Sequence, residues 1–146
     1  VAKASGLTWS PTRVDDEAMN EELAGLQFSV PAGVDFISDD PNIHFSSVLV
    51  YHASSKTVHV DDTFNYVDLP LLRGLRFHPT LAKALERRDG AAADFISWAN
   101  TIAAQWKDAE NVCAAHSAAL TGITDFEGRV HAALKKVDKT LRAHRA

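Results

Sequence analysis

The sequence has little cysteine, no long apolar run and no excess of basic residues, and each lack excludes a class of protein. Because Cys113 is the single cysteine, an intrachain disulfide is excluded, which suits a reducing compartment and predicts a cytoplasmic protein. No apolar stretch approaches the roughly 20 residues that span a bilayer, and no charged-then-apolar leader precedes the fold. The formal net charge of −4 argues against nucleic acid or an anionic membrane as the main partner.

What the sequence does contain predicts a single folded unit over residues 1–146, in which residues 1–13 form an arm or a short strand. Hydrophobic residues make up 46% of the 146 positions, which is enough for one core but not for two full domains. The chain begins at Val1 and its only methionine is Met19, so we expect it to be a processed or excised part of something longer.

Hydrophobic periodicity predicts strands and helices in mixed order along the chain. Strands are predicted at residues 26–30, 46–52, 57–60 and 110–115. Helices are predicted at residues 14–26, 78–88, 91–107 and 130–141. Residues 53–56 supply the turn of a hairpin, whereas residues 64–77 show no clear period and are predicted to be irregular or briefly helical. This order indicates an α/β or α+β fold in which helices cover a mixed sheet.

Four polar residues lie at the ends of predicted strands or in loops beside them: His44, Asp61, Asp62 and His116. Two adjacent aspartates cannot continue a buried strand without partners, so we place them at the open strand edge, where a cation or hydrogen-bond donors can meet them. Imidazole nitrogen and carboxylate oxygen are usual ligands for zinc, and for iron or manganese with a different balance of the two. The alternative is that the aspartates cap the following turn while the histidines bond to backbone groups.

Other chemically versatile residues have simpler interpretations. His59 alternates with two valines in its strand, so it points to the opposite face and is expected to pack or to support the ligands, with metal binding as the lesser alternative. Cys113 lies within a predicted strand and is expected to act as a small apolar residue rather than a nucleophile. Trp98 and Trp106 belong to the apolar stripe of one helix and are expected to be core residues.

Three segments resemble the C-terminal half of the metallo-β-lactamase fold, an αββα sandwich shared by a superfamily of metal-dependent hydrolases and oxidoreductases. His44 to Val50 (HFSSVLV) resembles the loop histidine that precedes a strand of that fold. Val58 to Asp62 (VHVDD) resembles a hairpin that ends in a bridging aspartate, and Asn111 to His116 (NVCAAH) resembles a later strand that ends in histidine. The resemblance covers roughly Leu26 to His144 and implies a mixed sheet covered by helices.

The resemblance implies a binuclear metal site and a hydrolytic reaction. Asp62 would bridge two zinc ions, and Asp61, which stands where the family has glycine, is the alternate ligand. His44 and His116 would each complete one coordination sphere, with iron or manganese as alternative metals. Metal-activated water would then attack an ester, lactone, amide or phosphoester of a small-molecule substrate. The HxHxDH motif that supplies the rest of the family's site is absent from this sequence, so activity is expected to need an N-terminal half.

Two other functions fit the same residues. One is a non-catalytic interaction module, a degenerate half-fold that presents an apolar face to a partner protein. The other is a complete small domain with one metal bound by His44, Asp62 and His116, which resembles the two-histidine, one-carboxylate arrangement of non-haem iron proteins. A half-sheet cut from a sandwich would expose an unusually large apolar face, so a half-fold is expected to bind its N-terminal complement, form a homo-oligomer or aggregate.

Overall fold

The computed structural model describes residues 23–144 and, before them, residues 6, 8, 12–14 and 16. Within these residues the chain has the predicted mixed α and β class. The strands are β1 Leu26–Ser29, β2 Leu49–His52, β3 Thr57–Val60, β4 Phe64–Val67, β5 Gly74–Phe77 and β6 Asn111–Ala114. The helices are α1 Leu81–Ala84, α2 Ala91–Gln105 and α3 Phe126–Ala143. The arm predicted at residues 1–13 and the helix predicted at residues 14–26 lie mostly outside the described residues.

The larger sheet has the strand order β1, β2, β3, β6, and its last pairing determines where the candidate site forms. The first three strands are antiparallel, whereas β6 runs parallel to β3 with Val60 opposite Ala114. One residue further on, the Ala115 N–H donates to the Val60 carbonyl oxygen at 3.0 Å. Because parallel strands end at the same edge of a sheet, the residues that follow β3 and β6 emerge side by side.

Four of the predicted elements after residue 45 are confirmed. The β2–β3 hairpin, β6 and α2 form where the period and the turn residues placed them. The last helix begins earlier than its apolar stripe, at Phe126, because the Asp125 carboxylate accepts the Gly128 N–H at 2.9 Å and caps the helix. No helix in the described part of the chain is long and apolar enough to cross a membrane.

The prediction for residues 64–77 was wrong, because this segment forms the β4–β5 hairpin, a separate two-stranded antiparallel sheet. Phe64 lies opposite Phe77, and their rings stack with centroids 4.8 Å apart. Alternation is present within each strand, but four apolar or proline residues at 69–72 fill the connection and hide it. The hairpin turn therefore lacks the polar composition by which turns are usually found.

The helix predicted at residues 78–88 is limited to the single turn α1. Leu85 leaves the helical conformation with ψ of 127° and forms a β-bridge with Val34. The Glu86 N–H then donates to the Gly33 carbonyl oxygen at 3.1 Å. Hydrogen bonds to a distant loop thus replace the next helical turn, and a single sequence pattern does not reveal such a partner.

The main core lies between one face of the larger sheet and the helices α2 and α3, with Phe95 of α2 at its centre. The Phe95 side chain is fully buried, and its ring centroid lies 5.8 Å from Phe45, 5.0 Å from Phe77 and 5.4 Å from Trp98. These separations are typical of favourable aromatic contacts. The Phe95 side chain therefore packs against the loop before β2, the smaller sheet and its own helix α2.

The two tryptophans at α2 are core residues, as predicted, and they also join this helix region to β1. The Trp98 Nε1–H donates to Ser29 Oγ at 2.8 Å, and the Trp106 Nε1–H donates to Gln27 Oε1 at 2.8 Å. Trp106 also stacks on Tyr51 with centroids 5.7 Å apart. Both indole donors are satisfied although both rings are buried, so neither tryptophan is free to stack on a substrate.

Candidate metal centre

Three predicted site residues meet at the edge where β3 and β6 end together. Asp61 and Asp62 directly follow β3, and His116 lies two residues after β6. Each side chain offers one ligand atom, and these three atoms lie within 4.8 Å of one another. The Nε2 atom of His116 is 3.1 Å from Oδ1 of Asp61 and 3.8 Å from Oδ1 of Asp62. The parallel pairing of two strands distant in sequence therefore creates the cluster.

The three side chains differ in how far they are open to solvent. The Asp62 side chain is 18% exposed, whereas those of Asp61 and His116 are 54% and 68% exposed. An ion pair at such an exposed position contributes little to stability, because water and salt screen it. The cluster is thus not needed to hold the fold together, and it is accessible to a cation or a ligand from solution.

The donor set fits a divalent cation. One imidazole nitrogen and two carboxylate oxygens give three protein ligands, the number found in catalytic zinc sites that keep a fourth position open. The same donors also suit iron or manganese, so the set does not specify zinc. Without a cation, the 3.1 Å contact is a hydrogen bond or ion pair between His116 and Asp61, depending on the imidazole proton.

His44, predicted as a ligand, is not part of this three-residue cluster. Its exposed side chain lines a cleft that Asp61 and Asp62 also line. The His44 carbonyl oxygen accepts a hydrogen bond from Thr80 Oγ1 at 2.6 Å, which holds the loop backbone against the start of α1. The cluster therefore contains two carboxylates and one histidine, and differs from the two-histidine, one-carboxylate set of His44, Asp62 and His116.

His59 lies on the other face of β3, as its alternation with valines predicted. Val58 and Val60 are buried, whereas His59 is exposed and lies opposite Cys113 in the parallel register with β6. Cys113 is half-buried and has a free thiol. The lesser alternative, His59 as a ligand beside the aspartates, is not the arrangement that the described residues adopt.

The cleft beside the cluster has a volume of about 290 Å³ and an acidic lining. Four aspartates line it, namely Asp35, Asp40, Asp61 and Asp62, and no lysine or arginine is found among the described residues of its wall. Hydrogen bonds from the backbone and side chain of Asn42 lower the pKa of Asp40 and keep this carboxyl ionised. Asp40 thus stabilises a turn of its own loop, because its carboxylate accepts both hydrogen bonds from Asn42.

Several residues of the cleft were not identified from the sequence. Phe36 and Ile37 line it with 52% and 84% of their surface exposed, and their only sequence signal was an apolar pair inside an aspartate- and proline-rich loop. Thr63, which follows Asp62 behind the cleft lining, is fully buried and donates to the Phe45 carbonyl oxygen at 2.9 Å, which ties the end of β3 to the loop that carries His44. Ser46 Oγ is buried in the cleft wall without a hydrogen-bond partner among the described residues.

No protein-family model, curated protein or solved structure matches this chain. The resemblance to the metallo-β-lactamase fold therefore rests on the three sequence segments and stays a prediction. The geometry of the strand ends stands independently of that resemblance, because it follows from the pairing of β3 with β6. The structure thus establishes the mixed α and β class of the fold.

Proposed function

We propose that this chain provides part of the active site of a metal-dependent hydrolase, in which Asp61, Asp62 and His116 bind a divalent cation. The main support is the convergence of three ligand atoms, from two parallel strand ends, within 4.8 Å. The resemblance to metallo-β-lactamase-like proteins implies the same reaction class. Because the HxHxDH motif is absent from the sequence, an N-terminal half would supply the remaining ligands.

Each residue of the cluster has a distinct role in this proposal. Asp62 is the central ligand because its side chain is the least exposed of the three and also lines the cleft, so it would bridge a second cation in the completed site. His116 orients Asp61 when no cation is present, which keeps both ligand atoms near their working positions. A bound cation, zinc first and iron or manganese as alternatives, would supply Lewis acidity and lower the pKa of water.

The charge of the cleft favours a neutral ester, lactone or amide as substrate over a phosphoester. Four aspartates line the cleft, and the cation alone would offset the negative charge of a phosphoryl group. Enzymes that transfer phosphoryl groups usually add arginine or lysine contacts, which the described wall lacks. The exposed side chains of Phe36 and Ile37 offer an apolar surface for the remainder of a neutral acyl substrate.

Metal content tests this proposal directly. Elemental analysis of the purified chain, followed by calorimetric titration with Zn²⁺, Mn²⁺ and Fe²⁺, should show near-stoichiometric binding of one of them. Asp62→Asn and His116→Ala should each weaken binding by at least about tenfold, because the first replaces a charged ligand with a weaker neutral one and the second removes a ligand. His131→Ala is the matched control, since His131 is an exposed histidine on α3 and should leave the affinity unchanged.

Two outcomes would contradict the metal site. The first is a chain without metal above background at every concentration tested. The second is a metal that the Asp62→Asn and His116→Ala variants retain as well as the unaltered chain does. If metal binds as expected, ester and phosphodiester hydrolysis measured with an added N-terminal half would then test the reaction and the preference for neutral substrates.

The interaction module remains a second candidate because of the other face of the larger sheet. Phe28, Val50, His59 and Cys113 lie in register across its four strands, and each is exposed or only half-buried. Light scattering should show a dimer or a complex if this face binds a partner, and His59→Glu should weaken it. A stable monomer that binds metal would favour the catalytic proposal instead.

A further inference from the structure

The β4–β5 hairpin ends in a strongly exposed apolar segment, the leucine tip, which consists of residues 69–72. Leu69 and Leu72 are 55% and 51% exposed, and Leu71 is 96% exposed. The Leu72 N–H donates to the Leu69 carbonyl oxygen at 2.9 Å, so the tip is a defined turn. Three large apolar side chains together on one turn form a patch that water solvates poorly.

Cations surround the base of the leucine tip. Arg73 directly follows it and pairs with Asp68 at 2.6 Å, while Arg76 reaches back and donates to the Leu72 carbonyl oxygen at 3.1 Å. Lys136 of α3 donates to the Leu75 carbonyl oxygen at 3.2 Å. Asp68 is the one carboxylate among these groups, and the described residues offer no ion pair to Arg76 or Lys136.

Arg76 and Lys136 lie close enough together for the charge of one to shift the pKa of the other. Partial burial lowers the pKa of Lys136, and the positive charge of Arg76 lowers it further. Two such cations repel each other, and an anion that lies near both of them offsets this repulsion. The tip region is thus locally positive although the whole chain carries a formal net charge of −4.

We propose that the leucine tip docks onto an anionic lipid surface. The three leucines would enter the interfacial region of the bilayer while Arg73, Arg76 and Lys136 meet the lipid headgroups. An excess of negative charge elsewhere repels the remainder of the chain from the same surface, so contact is limited to the hairpin and the neighbouring Lys136 of α3. The net charge of −4 argued against an anionic membrane because it sums the whole chain and hides the positive charge at the leucine tip. The surface is independent of the candidate metal centre.

Vesicle co-sedimentation tests the proposal with the full chain in EDTA, so that metal binding plays no part in the result. Vesicles of phosphatidylcholine containing phosphatidylserine should bind the chain, and phosphatidylcholine alone should bind it much less. Raising the salt to about 1 M, where charges are screened beyond about 3 Å, should release most of the bound protein. A variant with Leu69, Leu71 and Leu72 each changed to asparagine should lose binding by at least about tenfold.

Matched variants separate the leucine tip from exposed apolar residues in general. Ile37→Asn removes a side chain that is 84% exposed in another loop, and it should leave vesicle binding unchanged. Arg73→Gln should weaken binding only to the anionic vesicles. The proposal is overturned if neither vesicle type binds the chain at low salt, if the triple asparagine variant binds as well as the unaltered chain, or if the leucines mediate self-association in solution instead.

Discussion

The two β-hairpins of this chain have strands of equal length but opposite tips. In the β2–β3 hairpin the turn is polar, and the His52 ring bonds to Ser55 Oγ at 2.7 Å and to Ser54 Oγ at 3.0 Å. In the β4–β5 hairpin the turn is the leucine tip, whose side chains project into solvent. Hydrogen bonds between small polar residues suffice to close a hairpin, so the leucines are not required for closure.

The strands of the two hairpins, in contrast, are alike, because each hairpin buries aromatic rings. Tyr51 of the first packs on Trp106, and Phe64 of the second packs on Phe77, with both aromatic pairs buried against the helices. Burial of aromatic surface is the main source of stability in such a core. The comparison thus predicts that removal of these buried aromatic side chains destabilises the chain, whereas substitutions at the leucine tip leave its stability intact.

The largest expected effect is that of Phe77→Ala at the base of the second hairpin. Phe77 contacts both Phe64 and Phe95, so its loss leaves a cavity between the smaller sheet and α2. Urea denaturation should show a loss of about 3–5 kcal/mol in the free energy of unfolding. Phe36→Ala is the control, because Phe36 is 52% exposed. Equal effects of the two changes would mean that the second hairpin is not part of the core.

A smaller effect, confined to alkaline pH, is expected at Tyr51 in the first hairpin. Burial raises the pKa of Tyr51 from 10.0 to about 12, and the neighbouring Asp108 carboxylate acts in the same direction. The folded state therefore holds the phenol proton more tightly than the unfolded state does. The resulting stabilisation is complete below pH 10 and is lost as the pH rises to about 12.

Tyr51→Phe removes this titration and sharpens the comparison between the hairpins. Between pH 10 and pH 12 the unaltered chain should lose on the order of 2 kcal/mol more stability than the variant does. Urea denaturation at several pH values measures the difference. Tyr66→Phe leaves Tyr51 as the sole tyrosine, so its ultraviolet absorbance can follow the ionisation of Tyr51 alone. Parallel loss of stability in the chain and in Tyr51→Phe would contradict the assignment.

The smallest effect is expected for Leu71→Asn at the leucine tip. Because Leu71 is 96% exposed, its loss should change the free energy of unfolding by less than about 0.5 kcal/mol. Leu75→Asn, four residues later in β5, buries an amide at a position that is 2% exposed and should cost more than about 2 kcal/mol. Similar losses in both variants would show that the tip packs against the protein after all.

The same two hairpins show what the sequence could and could not predict. The first was predicted because valines, a tyrosine and a serine-rich turn follow the expected pattern. The second was missed because leucines fill its turn, where polar residues are usually found. Helix α1 was predicted too long for a different reason, since Leu85 is drawn into a bridge with Val34, far away in the sequence.

Prediction of the candidate site succeeded where it depended on strand ends and fell short where it depended on loops. Asp61, Asp62 and His116 meet because two strands end at the same edge, which the strand pattern indicates once their pairing is known. The position of His44 depends instead on the path of a loop held by Thr80, and no periodicity encodes that path. Thr63 and Ser46 were not identified because their importance lies in burial, which becomes visible only in the folded chain.

The parallel pairing of β3 with β6 also makes the candidate metal centre depend on the complete larger sheet. His116 lies beside the aspartates only when β6 pairs with β3, and a hairpin and two helices separate these two strands along the chain. Closing so long a loop costs chain entropy, which the contacts of the folded state must offset. A cation that binds only this native arrangement would stabilise the whole fold over the unfolded chain, by an amount that rises with the cation concentration.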